Sequence, residues 1–163
     1  MLKKVKIKII TDRAEAAVGL FENIATPLAE PSAPEHSEMT VEGGYHDDGV
    51  RVAISYDESA ATGMEGSRAT ISFQKNEPGL VSMLRTGSVK TALLFEQGRR
   101  HICVYQTPLA PFEVCVQTAK VQNAIEAMGT LDLDYIVELK GAQAEHTKMK
   151  IAISPAYDKP KGL

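Results

Sequence analysis

The sequence predicts an all-β fold, an antiparallel barrel of about 8–10 short strands. Apolar and polar residues alternate with a period of two in most segments, which is typical of strands with one buried face. Turn signals such as Asp48-Gly49 separate these segments. The segments that connect the strands do not show the helices that join neighbouring strands of a parallel sheet. Closing such a sheet removes its exposed edges and leaves an interior that holds side chains or one small ligand.

The N-terminal region is predicted to change from strand to helix to loop. In residues 3–10 lysines alternate with aliphatic residues, and we interpret the lysines as the solvent face of a strand rather than as a polyanion site. Residues 12–25 show helical spacing, with Asp12 as the N-cap, and predict a short helix. Three prolines then predict a loop over residues 26–37.

The remaining strands follow from alternation and turns. His101, Cys103 and Tyr105 share one strand face and Ile102 and Val104 share the other, and both faces are expected to be partly buried. We expect one domain over residues 1–154, with residues 12–37 as an insert-like segment, and a loose tail over residues 155–163. The further strands begin at Glu38 and Val50 and continue with residues 69–73, 80–85, 89–95, 99–107, 112–116, 131–139 and 149–153.

Composition excludes several classes of function. The net charge is −3, from 18 Lys and Arg against 21 Asp and Glu, and provides no global field that would attract nucleic acid or anionic lipid. The first residues lack a continuous apolar stretch, so we expect a cytoplasmic protein without a membrane partner. Motifs of the GxSxG, GxGxxG and Walker type are missing, so no cofactor and no catalytic residue is predicted.

Two segments resemble a known family, the YwiB-like proteins. They are YDESAATGMEG, from Tyr56 to Gly66, and FEQGRRHICVYQTP, from Phe95 to Pro108. The family consists of small uncharacterised bacterial proteins with a calycin-like, lipocalin-type barrel. The resemblance therefore implies this barrel, a bacterial cytoplasmic setting and a ligand in the barrel interior, and it implies no catalytic activity. The matching residues are Gly63, Met64, Glu65, Gly66, Phe95, Glu96, Gly98, Arg100, His101, Tyr105, Thr107 and Pro108.

Five polar residues are candidate ligand contacts, and each also has a structural interpretation. His101 can act as acid, base, metal ligand or hydrogen-bond donor, but a histidine in a β-rich core more often has a structural hydrogen bond. If its face points inward, His101, Tyr105 and Arg85 form a polar patch between apolar walls, as small-molecule sites do. Glu65 lies in a glycine-flanked connection that is either a simple turn or the edge of a site, where it would pair with Arg85 or Arg100.

The two cysteines suggest two further alternatives. Cys103 and Cys115 are symmetric about Leu109, so a simple hairpin would place them nearly opposite each other. A metal site with His101 and a reversible disulfide are then conceivable, but buried free thiols are the preferred interpretation because no ordinary ligand spacing accompanies them. No metal is therefore predicted.

These observations favour a non-enzymatic barrel that binds a small, partly apolar molecule through Glu65, Arg85, Arg100, His101 and Tyr105. The alternative is an interaction or scaffold protein, a homodimer with a side-chain-filled barrel, that uses an outer face or residues 12–37. An enzyme that uses His101 is the third hypothesis.

Overall fold

The structure is a computed structural model that describes residues 2–16, 34–58, 66–87, 90–106, 109–139 and 143–156. These residues form ten strands and one short helix. In chain order the elements are β1 (Leu2–Ala16), β2 (Glu35–Asp47), β3 (Arg51–Asp57), β4 (Arg68–Gln74), β5 (Glu77–Thr86), β6 (Lys90–Glu96), β7 (Arg100–Gln106), β8 (Pro111–Ala124), α1 (Ile125–Met128), β9 (Thr130–Leu139) and β10 (Gln143–Pro155).

The strands form one closed antiparallel barrel. Each strand pairs with its neighbours in sequence, and β1 also pairs with β10, from Val5 opposite Pro155 to Ala16 opposite Ala144. The predicted all-β antiparallel barrel is confirmed, with the strand number at the top of the expected range. Among the described residues the one helix is four residues long, far shorter than a segment that could cross a membrane.

The core lies inside the barrel and follows the predicted alternation. On β3, for example, Val52, Ile54 and Tyr56 are buried, while Arg51 and Asp57 at its two ends are exposed. Alternate residues of the other strands point into the same interior, where they exclude water. The largest fully buried apolar side chains are those of Phe95, Ile7, Ile54, Ile71, Met83, Leu131 and Ile151.

The predicted helix near the N-terminus is wrong over residues 12–16, because β1 continues through Ala16. This segment pairs with β10 on one side. On the other side its first residues pair with β2, which begins at Glu35. Two ladders of cross-strand hydrogen bonds outweigh the weak helical preference of the alanine spacing. Residues 35–37, predicted as loop, belong to β2 for the same reason, and residues 17–33 lie outside the described residues. Pro155, predicted as the start of the tail, is the last residue of β10.

The two ends of the barrel differ. The last residues of the odd-numbered strands lie together at one end, which we call the Glu58 end because Glu58 directly follows β3 there. The opposite end contains α1, and we call it the α1 end. Here Ile125 is buried in the core, Asn123 accepts the backbone N–H of Ile125 at 3.1 Å, and its amide donates to the Pro78 carbonyl at 3.0 Å. Side chains thus pack the α1 end.

The predicted turn between β2 and β3 is confirmed at the same end. Asp48 Oδ1 accepts the backbone N–H groups of Val50 and Arg51 at 2.8 and 2.7 Å, and Gly49 has a φ of 91°. Only glycine adopts such a φ without strain, which explains the Asp-Gly signal.

The wall between β6 and β7 has the fewest paired residues. Its register pairs are Lys90 with Gln106 and Thr91 with Tyr105. The β3–β4 ladder, between strands of the same length, pairs every residue from Arg51 to Asp57. The turn that joins β6 and β7 bonds instead to β8, where Gly98 N–H donates to the Thr118 carbonyl at 2.9 Å. This wall is therefore held mainly at its two ends.

We expect Gly129→Ala to destabilise the protein more than Gly98→Ala. Both glycines have positive φ, 73° and 77°, which costs an alanine about 1–2 kcal/mol. A Cβ at Gly129 would also lie 2.8 Å from the backbone oxygen of Ile153, whereas a Cβ at Gly98 would meet nothing within 4 Å. Urea unfolding should show an additional loss of about 1 kcal/mol or more for Gly129→Ala. Equal losses would contradict the packing described at the α1 end.

Candidate functional site

A row of inward-facing residues crosses five strands at the Glu58 end of the interior. Strand register places Tyr56 opposite Ala69, Ala69 opposite Arg85, Arg85 opposite Thr91, and Thr91 opposite Tyr105. Directly opposed side chains in an antiparallel sheet have Cβ atoms about 5 Å apart. The row therefore brings one cation, one hydroxyl and two phenols to the same level of the interior, with Thr91 between Arg85 and Tyr105.

Glu58 and Arg85 form a buried ion pair at the edge of this row. Arg85 Nε donates to Glu58 Oε1 at 3.0 Å, and the two side chains are 9% and 1% exposed. The Glu58 backbone N–H donates to the carbonyl of buried Ser67 at 2.8 Å, which fixes the position of Glu58 beside the start of β4. Burial lowers the pKa of Arg85, but the hydrogen bond and charge of Glu58 outweigh burial and raise that pKa overall.

Three buried side-chain oxygens have no hydrogen-bond partner among the described residues. They are Glu58 Oε2, Thr91 Oγ1 and Thr118 Oγ1. Glu58 Oε2 belongs to the ion pair, and Thr91 is the register partner of Arg85 across the β5–β6 ladder, so two of the three belong to residues that neighbour Arg85. Thr118 lies on β8 opposite Tyr135. Buried polar groups are nearly always satisfied in folded proteins, so these oxygens need an explanation.

Aromatic rings line the interior between the ion pair and the α1 end, toward which Phe95 lies on β6. The rings of Phe95 and Tyr135 lie 4.5 Å apart between centroids and are tilted by 49°. Burial raises the pKa of Tyr135, while the charges of Arg85 and Arg13 oppose the rise. Burial and the charge of Glu58 also raise the pKa of Tyr56. Both phenols therefore stay neutral at physiological pH and present apolar rings with polar tips.

Of the predicted contacts, Arg85 and Tyr105 lie together in this row. Tyr105 is half-buried against the core. His101 shares its inward face, but it sits near the β6–β7 turn, where Nε2 lies 3.2 Å from Glu96 Oε1. Arg100 lies on the outer wall, because it neighbours the inward-facing His101, and its Nε donates to Cys115 Sγ at 3.3 Å. Glu65 lies outside the described residues.

The sequence analysis missed Glu58, Thr91 and Tyr56 as site residues. The signal was present in the alternation, because Glu58 continues the inward series Val52, Ile54 and Tyr56 beyond the end of β3. A carboxylate at an inward position of a barrel strand indicates a buried partner. Thr91 is likewise in phase with Leu93 and Phe95.

The predicted juxtaposition of the two cysteines is wrong. The β7–β8 register pairs Cys103 with Val114 and Ile102 with Cys115, so the thiols point to opposite faces of the sheet. The register of the hairpin is shifted by one residue from the symmetric arrangement. Such a shift moves Cys115, the expected partner of Cys103, to the other face of the sheet. Both thiols are free, and burial raises the pKa of Cys103. Among the described residues no three His, Cys, Asp or Glu side chains are grouped in a way that could hold a metal ion.

The outer wall carries an apolar strip and a shallow groove. Leu84, Ile102 and Val104 are 48%, 75% and 48% exposed, so the outer face of β7 is open where partial burial was predicted. Elsewhere on the wall, a groove of about 370 Å³ is lined by Lys6, Lys8, Thr40, Ala152, Ile153 and Ser154. The lysines of β1 face solvent, as predicted.

We expect Arg85→Met to cost about 3–5 kcal/mol of unfolding free energy, because it leaves the Glu58 carboxylate buried and unpaired. Arg68→Met is the matched control. It breaks an ion pair with Asp57 at the same N–O distance of 3.0 Å, but these side chains are 52% and 82% exposed. That loss should stay below about 1 kcal/mol. Adding Glu58→Gln to Arg85→Met should restore part of the stability, and equal losses in the two single variants would contradict the burial of the pair.

Comparisons with known proteins place the chain in a family. Residues 23–151 match the family model described as "Domain of unknown function (DUF1934)". The fold is similar to the crystal structure of the ywiB protein from Bacillus subtilis, with a TM-score of 0.68, 18% sequence identity and 94% of each chain covered. No curated protein matches. The family match spans most of the sequence, in agreement with the resemblance to YwiB-like proteins, and the chain belongs to the DUF1934 family.

Proposed function

We propose that this protein is a non-enzymatic binding protein that holds a small, partly apolar molecule inside the barrel at the Glu58 end. The observation that carries the proposal is that two buried oxygens on residues neighbouring Arg85, Glu58 Oε2 and Thr91 Oγ1, have no hydrogen-bond partner in the described part of the chain. Each unsatisfied buried polar group costs about 1–3 kcal/mol. A ligand that hydrogen-bonds to both would recover this free energy.

The surroundings support a small-molecule site. Such sites combine apolar and aromatic walls with a few convergent polar groups. Here the walls include Tyr56 and Tyr135, both of which are buried. The proposed polar contacts are Glu58, Arg85, Thr91 and Tyr105. Arg85 and Tyr105 were predicted from the sequence, and the fold adds Glu58 and Thr91 as their neighbours.

A purely structural ion pair is the competing explanation for Glu58 and Arg85. In that case the unpartnered oxygens would simply reduce stability and would have no ligand to bind. Thr91→Val keeps nearly the shape of threonine and removes the hydroxyl, and ligand affinity separates the two explanations, because only the binding explanation predicts that it falls while stability does not. Removing an unsatisfied hydroxyl should leave stability unchanged or raise it, as often happens when a binding residue is replaced.

We expect native mass spectrometry of the protein purified from its own cells to show a bound small molecule. Thr91→Val should lower the affinity for that molecule about tenfold, since the loss of one hydrogen bond of ~1.4 kcal/mol has this effect. Thermal unfolding should show that Thr91→Val is no less stable than the wild type. Thr40→Val, on the exposed outer wall, is the control and should change neither value. A wild-type protein that carries no small molecule would sink the proposal.

Self-association is a second candidate function, supported by the outer apolar strip of Leu84, Ile102 and Val104. Ile102 and Val104 are neighbours on the outer face of β7, and Leu84 lies on β5, opposite the exposed Ala92 of the intervening β6. Exposed apolar surface of this kind often marks an interaction site. A two-fold axis through this strip would place the same apolar side chains of two copies against each other, as in an isologous dimer.

In sedimentation velocity experiments we expect a dimer that Ile102→Lys converts to a monomer, with unchanged thermal stability. Val50→Lys is the control, because Val50 is 66% exposed in the turn at the α1 end and away from the strip. A wild-type monomer at tens of micromolar, or dissociation by Val50→Lys alone, would rule out this interface.

A further inference from the structure

We infer that the ligand is a neutral molecule that donates a hydrogen bond to Glu58 Oε2, with a carboxamide or its cyclic equivalent as the simplest head group. This inference rests on the proposed function and specifies the chemistry of the same site.

The first argument is the kind of atom that lacks a partner. The buried side-chain atoms without a hydrogen bond in the described part of the chain are all oxygens, and no nitrogen is among them. Two of these three oxygens belong to hydroxyls, which can donate as well as accept, so only Glu58 Oε2 specifies what a partner must supply. An ionised carboxylate such as Glu58 only accepts hydrogen bonds, so whatever satisfies Oε2 must carry an N–H or O–H group.

The second argument is the pairing of the two residues. Glu58 Oε2 can only accept, whereas the Thr91 hydroxyl both donates and accepts. Glu58 neighbours Arg85 through the ion pair and Thr91 through the β5–β6 register, so a ligand beside Arg85 that carries both a donor and an acceptor has a partner for each. A carboxamide has this arrangement, since its NH₂ donates to Glu58 and its carbonyl accepts from Thr91.

The third argument is charge. Glu58 and Arg85 sum to zero, so a carboxylate or an ammonium group would bring an uncompensated charge into a buried site. Arg13 is the second cation whose charge lowers the pKa of Tyr135. It also has a carboxylate nearby, because its Nε lies 3.8 Å from Glu145 Oε1. Neither arginine thus calls for an anionic ligand. A neutral head group avoids both penalties.

Three six-carbon probes that differ only in the head group test this inference: hexanamide, hexanoate and hexylamine. Amide resonances of the full-length, isotope-labelled protein are followed during titration with each probe. We expect hexanamide to shift residues around Thr91 and Tyr105 and to bind at least tenfold more tightly than the two charged probes. Thr91→Val should weaken hexanamide binding, and Thr40→Val should not.

The outcomes separate this inference from the proposed function. If hexanoate or hexylamine binds as tightly as hexanamide, the inferred ligand class is wrong while binding at the site stands. If no probe binds but the protein from its own cells carries a small molecule, the ligand class is again wrong. If no probe binds and the cell-derived protein carries no small molecule, the proposed function fails as well.

Discussion

Pairing of β1 with β10 is the interaction on which the rest of the structure depends. It joins the first strand to the last over the length from Val5 to Ala16 and converts an open sheet into a barrel. Closure removes the free edges and fixes which residues of each strand face inward. The burial of the core, the position of Arg85 and the exposure of Ile102 all follow from that choice.

Alternation in the sequence was sufficient to predict the strands, because a barrel with a buried interior imposes a strict period of two. It failed where local spacing competed with pairing, as in residues 12–16, since only the folded barrel supplies the two ladders. The cysteines were misplaced because hairpin register depends on the turn, and a shift of one residue reverses the faces. Glu58 was missed because it lies just past the end of a strand.

The Glu58–Arg85 pair is not what stability alone would favour. Well-packed apolar residues can replace a buried ion pair with no loss and often with a gain. Within the described residues, the second carboxylate oxygen of Glu58 also has no hydrogen-bond partner. Under the proposed function, this cost in stability is the cost of arranging the binding groups before the ligand arrives.

The sparse pairing between β6 and β7 gives the barrel an uneven mechanical character. Around most of the barrel, neighbouring strands are joined by continuous ladders of backbone hydrogen bonds. The wall between β6 and β7 is instead joined mainly near Thr91 and at the Gly98 turn. Local opening of the barrel should therefore begin on this wall, between Thr91 and the Gly98 turn, because fewer backbone hydrogen bonds have to break there than in the other ladders.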